Sequence, residues 1–250
     1  MKEIKFLIVI GILMLISCEE QPKEWVYKED IMLEGISPIG MLATGADLWL
    51  SDVDNNRLVK IKMTGKILQE IKGLIRPMHI DGDGESIYIP QFGADNIVRW
   101  NKDGTGFSTI SIGDSLDAPG AVSLGPGMIA VADFFNHRVL VNAQEKFFVI
   151  GKEGHDNSSL YYPTDIEITD QKIYIADAYN NRVQIYDLQG NYSHTIGWQE
   201  GIKVASGVEV SDKHVFITDF HGSRLLIYDL TGKLLQIFTE HLISRSLRSI

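Results

Sequence analysis

The sequence predicts an all-β chain, a β-propeller built from four-stranded blades, and three observations carry that prediction. A short β-rich run closed by an aspartate recurs in Trp49–Asp52, Ile129–Asp133, Ile173–Asp177 and Val215–Asp219. An arginine stands five residues after each aspartate, at Arg57, Arg138, Arg182 and Arg224, and a second β-rich run follows it. After Cys18 no stretch sustains the apolar spacing of an amphipathic helix.

A fifth, divergent copy runs from Ile87 through Gln91 to Asn96 and Trp100, with Gln91 in place of the aspartate and Asn96 in place of the arginine. The markers at 52, 91, 133, 177 and 219 are then 39, 42, 44 and 42 residues apart, which is the length of one propeller blade. Each repeat opens on a proline or small residue, at Pro38, Pro77, Pro119, Pro163 and Ala205. Two strands flank the Asp-to-Arg turn. A glycine-centred turn, such as Leu188–Asn191 or Leu230–Lys233, leads into a last short strand. Four short strands per repeat with polar turns between them specify a radial array.

With 250 residues, 44% hydrophobic and 22% charged, the chain has an ordinary globular balance. Its formal net charge of −10 makes the average surface repel phosphate backbones. There is no stripe of Lys and Arg interleaved with aromatics, so nucleic acid is not expected as a partner.

At the N-terminus Lys2 and Lys5 precede an apolar run from Phe6 to Ile16. That run is too short for a membrane span of about 20 residues but has the length of a secretory signal's apolar region. It ends in Leu15-Ile16-Ser17-Cys18, which resembles the bacterial lipobox. The resemblance implies removal of residues 1–17 and lipidation of Cys18, the only cysteine in the chain. Each buried acyl CH₂ contributes about 0.8 kcal/mol, so a multiply acylated cysteine would hold the protein on a membrane of the cell envelope, on its periplasmic or surface side. Residues 18–35 are expected to form a tether and first strand, and 36–250 the propeller.

The segment Asp177-Ala178-Tyr179-Asn180-Asn181-Arg182-Val183-Gln184-Ile185-Tyr186, followed by Asp187-Leu188-Gln189-Gly190, resembles the core of the NHL repeat. Asp133–Val141 and Asp52–Ile61 are similar, and the resemblance covers roughly residues 36–239. NHL propellers usually form six-bladed rings, so the resemblance implies five repeats plus an incomplete or split sixth blade. Trp25 to Met32 is the candidate for an outer strand of that blade, and His241 to Ile250 for its inner strand. Propellers of this family serve as protein-binding, RNA-binding and enzymatic scaffolds, so the resemblance does not select a function.

The Asp52/Arg57, Asp133/Arg138, Asp177/Arg182 and Asp219/Arg224 pairs recur in four blades, which fits a repeated fold contact better than a unique catalytic role. Strand alternation places the second and fourth residues after each blade opening on one side, around the central channel. These include His79, Asp81, Asp165, Glu167 and Glu209. Such a set offers a solvated acidic lining or a site for a hard cation such as Ca²⁺. Propeller lyases carry zinc histidines after a Pro-His-Gly type of opening, whereas in Pro77-Met78-His79 the histidine stands one place late. No nucleophile elbow, phosphate loop or Cys/His cluster occurs. Phe134-Phe135, Tyr179 and Phe220-His221 follow the aspartates at equivalent places and predict an aromatic rim on one face. The expected function is a non-catalytic binding or scaffold module for an envelope protein, peptide or glycan, with no cofactor required. The alternative is a metal-dependent hydrolase or lyase using the channel carboxylates.

Overall fold

The computed structural model describes residues 25–27, 30–144 and 146–239. The signal segment, Cys18 and the stretch from His241 to Ile250 lie outside the described residues.

Twenty strands form five antiparallel sheets, each of four consecutive strands. The first blade contains β1 (Pro38–Thr44), β2 (Asp47–Asp52), β3 (Arg57–Lys62) and β4 (Ile67–Lys72). In the second are β5 (Asp81–Gly82), β6 (Ser86–Gln91), β7 (Asn96–Asn101) and β8 (Gly106–Ile110). The third holds β9 (Pro119–Gly125), β10 (Met128–Asp133), β11 (Arg138–Ala143) and β12 (Lys146–Ile150). The fourth has β13 (Pro163–Ile168), β14 (Lys172–Asp177), β15 (Arg182–Asp187) and β16 (Tyr192–Ile196). The fifth closes with β17 (Ala205–Val210), β18 (His214–Asp219), β19 (Arg224–Asp229) and β20 (Leu234–Thr239).

The sequence dictates these depths. Middle strands are covered on both faces and are nearly continuous apolar runs, as in Ile173-Tyr174-Ile175-Ala176, all buried. Outer strands such as Ile67–Lys72 meet solvent and carry charges, with only Ile71 buried. Every Asp-to-Arg turn has one left-handed residue four places after the marker, at Asn56, Asp95, His137, Asn181 and Ser223, with φ between 49 and 60°. Asn and Asp adopt that conformation most readily among non-glycine residues, which accounts for three of the five.

The cores lie between blades. Trp49 and Leu58 of blade one pack with Ile80, Ile87 and Ile89 of blade two. Ile97 joins Val131 and Leu140, Val141 joins Ile166 and Ile175, and Tyr174 joins Val208 and Ile217. The inner strands β1, β5, β9, β13 and β17 succeed one another around the channel. Gly40 permits the first of these approaches, because a Cβ there would come within 2.6 Å of the Met78 carbonyl. Blade two departs from the pattern. Its inner strand is reduced to two residues, and His79 instead bridges Ala121 of blade three in parallel. Pro90, with no amide to donate, stands at the place equivalent to Ser51, and the His79 amide bonds the Gly120 carbonyl at 3.2 Å.

Blades five and one face each other across a seam. On blade one Leu50, Val59 and Ile61 pack against Ile31 and Leu33 from the preceding segment rather than against another sheet. Trp25 reaches the other side, where it exchanges two hydrogen bonds with the Gln236 side chain and meets His214 and Phe216 edge-on. The segment expected to add an outer strand therefore crosses the seam, but its described residues form no strand.

Candidate functional site

The four Asp-to-Arg turns share one geometry. Arg57, Arg138, Arg182 and Arg224 each direct Nε to the aspartate five residues earlier at 2.7–2.8 Å, and all four aspartates are buried. The other carboxylate oxygen accepts an amide from the connector entering the same blade: Ser37, Asp117, Tyr161 and Lys203. The arginine's far nitrogen closes the loop on connector carbonyls, such as Gly35 and Ser115. Blade two makes a neutral version, with Gln91 accepting from Asn96 at 2.8 Å and from the Ile75 amide. Burial raises the pKa of Asp52 and Asp219, but the bonds they accept outweigh it and hold both carboxyls below the usual range.

The five channel residues line one cavity of about 620 Å³, together with Ile80, Val122, Ile166 and Val208. Two of the carboxylates are engaged by main chain. Asp81 Oδ2 accepts the Leu124 amide at 2.7 Å, and Asp165 Oδ2 accepts the Val208 amide at 2.9 Å. The serine at the corresponding place in blade three behaves alike, with Ser123 Oγ accepting the Ile168 amide at 3.0 Å. His79 Nδ1 lies 3.6 Å from Asp165 Oδ1. Burial first, and then the charges of Glu209, Asp81 and Asp165, push the Glu167 carboxyl up to about 9. Burial likewise raises Asp81, Asp165 and Glu209. Among the described residues no three His, Cys, Asp or Glu side chains converge in a way that would hold a metal ion.

The aromatic residues gather on the face that carries the Asp-to-Arg turns. Phe92, Phe134, Phe135, Tyr161, Tyr162 and Tyr179 form one connected net across blades two, three and four, with successive ring centroids 4.7–6.3 Å apart. His137 stacks on Tyr161 at 5.1 Å and takes the Tyr162 amide on Nδ1, fixing the centre of the net. Arg76 lies over the outer face of Phe92 at 5.0 Å. Phe135 and Tyr179 are about half exposed, at 48 and 55%. Phe220, in the equivalent loop of blade five, is 69% exposed and touches His221. Tyr161 and Tyr162 are the members that sequence reasoning missed. They lie in the connector before Pro163 rather than after a marker aspartate, and only the fold brings that connector beside the turns.

Residues 144–240 match the DUF5128 family, described as a 6-bladed β-propeller. No curated protein matches the chain. Among solved structures it is similar to a streptogramin B lyase, with 16% identity, TM-score 0.63, and coverage of 81% of this chain and 68% of that one. The virginiamycin B lyase of Staphylococcus aureus is similar at 17% identity, with TM-score 0.63 and 81 and 69% coverage. A chain of a nidogen–laminin complex is similar at 16% identity, with TM-score 0.66 and 82 and 80% coverage. At these identities the likeness establishes the fold, a β-propeller, and nothing about chemistry.

Proposed function

We propose that this chain is a lipid-anchored binding propeller of a bacterial cell envelope, which holds a protein, peptide or glycan partner on its aromatic rim. The observation that carries this reading is the connected net from Phe92 to Tyr179, exposed on the turn-bearing face. Large rings already packed against one another lose little side-chain freedom on binding, so they make efficient anchors. A channel-centred hydrolase is less well supported. Asp81, Asp165 and Ser123 spend acceptor atoms on neighbouring backbone, and no positioned base stands beside a nucleophile.

The test is photo-cross-linking and recovery from intact cells with wild type and the Phe135→Ser/Tyr179→Ser variant. Both side chains are exposed, so the fold should survive the change. Loss of two aromatic anchors should weaken capture of the cell-surface partner by about 30-fold or more. Equal recovery by both proteins would overturn the rim as the binding face.

A further inference from the structure

The inner strands are tied to one another by side chains that reach into the next blade. Asp81 and Ser123, each four places after its blade opening, accept the amide five places after the next opening, at Leu124 and Ile168. Asp165, two places after Pro163, accepts the amide of Val208, three places after Ala205. Each of these acceptors fixes the strand that follows it.

Glu209 occupies in blade five the place that Asp81 and Ser123 hold in blades two and three. It is exposed, no hydrogen bond reaches it, and no inner strand stands beyond it among the described residues. The walls beside it are equally open. On blade five Phe216, Thr218 and Leu225 face the cavity, and on blade one Ile39 and Met41 are 40 and 63% exposed. A second, almost purely apolar cavity of about 200 Å³ runs along blade one between Leu33, Met41 and Leu50. Trp25, Ile31 and Leu33 cover the outer end of the seam and leave its channel end uncovered. An extended segment with apolar residues and a cation directed at the acids would satisfy both the walls and the channel.

Such a segment follows β20. Blade openings recur every 39–44 residues, so the next falls between positions 244 and 249. With Ser246 as the opening, Arg248 stands two places on, equivalent to His79 and Asp165, while Leu247 and Ile250 supply apolar contacts. We propose that the channel end of the seam is the docking site of the chain's own residues 240–250, which lie beside β17 with Arg248 directed at Glu209 and the neighbouring channel carboxylates. This inference does not depend on the aromatic rim.

Hydrogen–deuterium exchange of the full chain tests it. The amides of residues 246–250 should exchange at least tenfold more slowly than the unprotected rate. Glu209→Lys, at an exposed position, should abolish that protection, and Glu209→Lys/Arg248→Glu should restore it. Exchange at the unprotected rate in the wild type would overturn the proposal, as would protection that ignores Glu209→Lys. Protection that grows with protein concentration and accompanies dimers would assign the seam to a strand from a second copy, and would equally overturn it.

Discussion

Glu167 shows how a channel residue trades stability against pH. Its carboxyl is desolvated between blades, and Glu209, Asp81 and Asp165 add like charge, so its pKa rises to about 9 from the ordinary 4.5. Below 4.5 the group is protonated whether the chain is folded or not, and it contributes no difference. As pH rises above 4.5 the unfolded chain releases this proton while the folded chain retains it, so stability falls across the interval to about 9. Asp81, Asp165 and Glu209 are raised in the same direction and act with the same sign. Glu167→Gln removes the titration while keeping the shape. In denaturant melts the variant should lose less stability than wild type between pH 5 and pH 8, by about 1–3 kcal/mol. Identical pH profiles would mean that Glu167 ionises in the fold as it does in water.

The repeating element is the turn that joins the two middle strands, and its most complete form is in blade four. Asp177 accepts the Tyr161 amide, the Asn180 side chain, Arg182 Nε and Gln184 Nε2. Arg182 then reaches the carbonyls of Asp156 and Ser159, so one buried pair fastens turn and connector together. Its side chain is 4% exposed, whereas those of Arg57, Arg138 and Arg224 are 16–21% exposed. Removing the arginine leaves a carboxylate stranded in the interior, and that penalty grows with burial. Arg182→Ala should therefore destabilise the protein by about 3–5 kcal/mol. Arg57→Ala, whose aspartate is more easily reached by water, should cost about 1–2 kcal/mol. Equal losses in the two melts would show that burial does not set the strength of the contact. The Asp–Arg spacing of five was visible in the sequence because the turn is local. The connector carbonyls that complete it are more than twenty residues away, and no local pattern marks them.

At the scale of the molecule, the blades and their order follow from the repeat, and the open seam follows from the packing. Each inter-blade core takes one face from each of two neighbours, so blades one and five each leave a face that Ile31, Leu33 and Trp25 cover only at its outer end. If Cys18 anchors the propeller, as its lipobox-like context implies, the tether places the protein at a membrane surface through acyl chains. Wild-type protein should incorporate a fatty-acid analogue in growing bacterial cells and fractionate with membranes, whereas Cys18→Ser should do neither. An unlabelled wild type would sink the anchor.

The sequence by itself determined the strands, their number per repeat and the turn residues, because these depend on alternation, on apolar runs and on contacts within about five positions. It also placed His79, Asp81, Asp165, Glu167 and Glu209 on one side, since side-chain direction in a strand has period two. Only the tertiary structure decided what that side is used for. Neighbouring blades approach closely enough for Asp81, Ser123 and Asp165 to take up the next strand's amides, a pairing across more than forty residues. The same distance hid Tyr161 and Tyr162 from the sequence, since a connector joins the rim only when the ring curves it back beside the turns. Contacts that span blades are set by the curvature of the whole array, which no single repeat encodes.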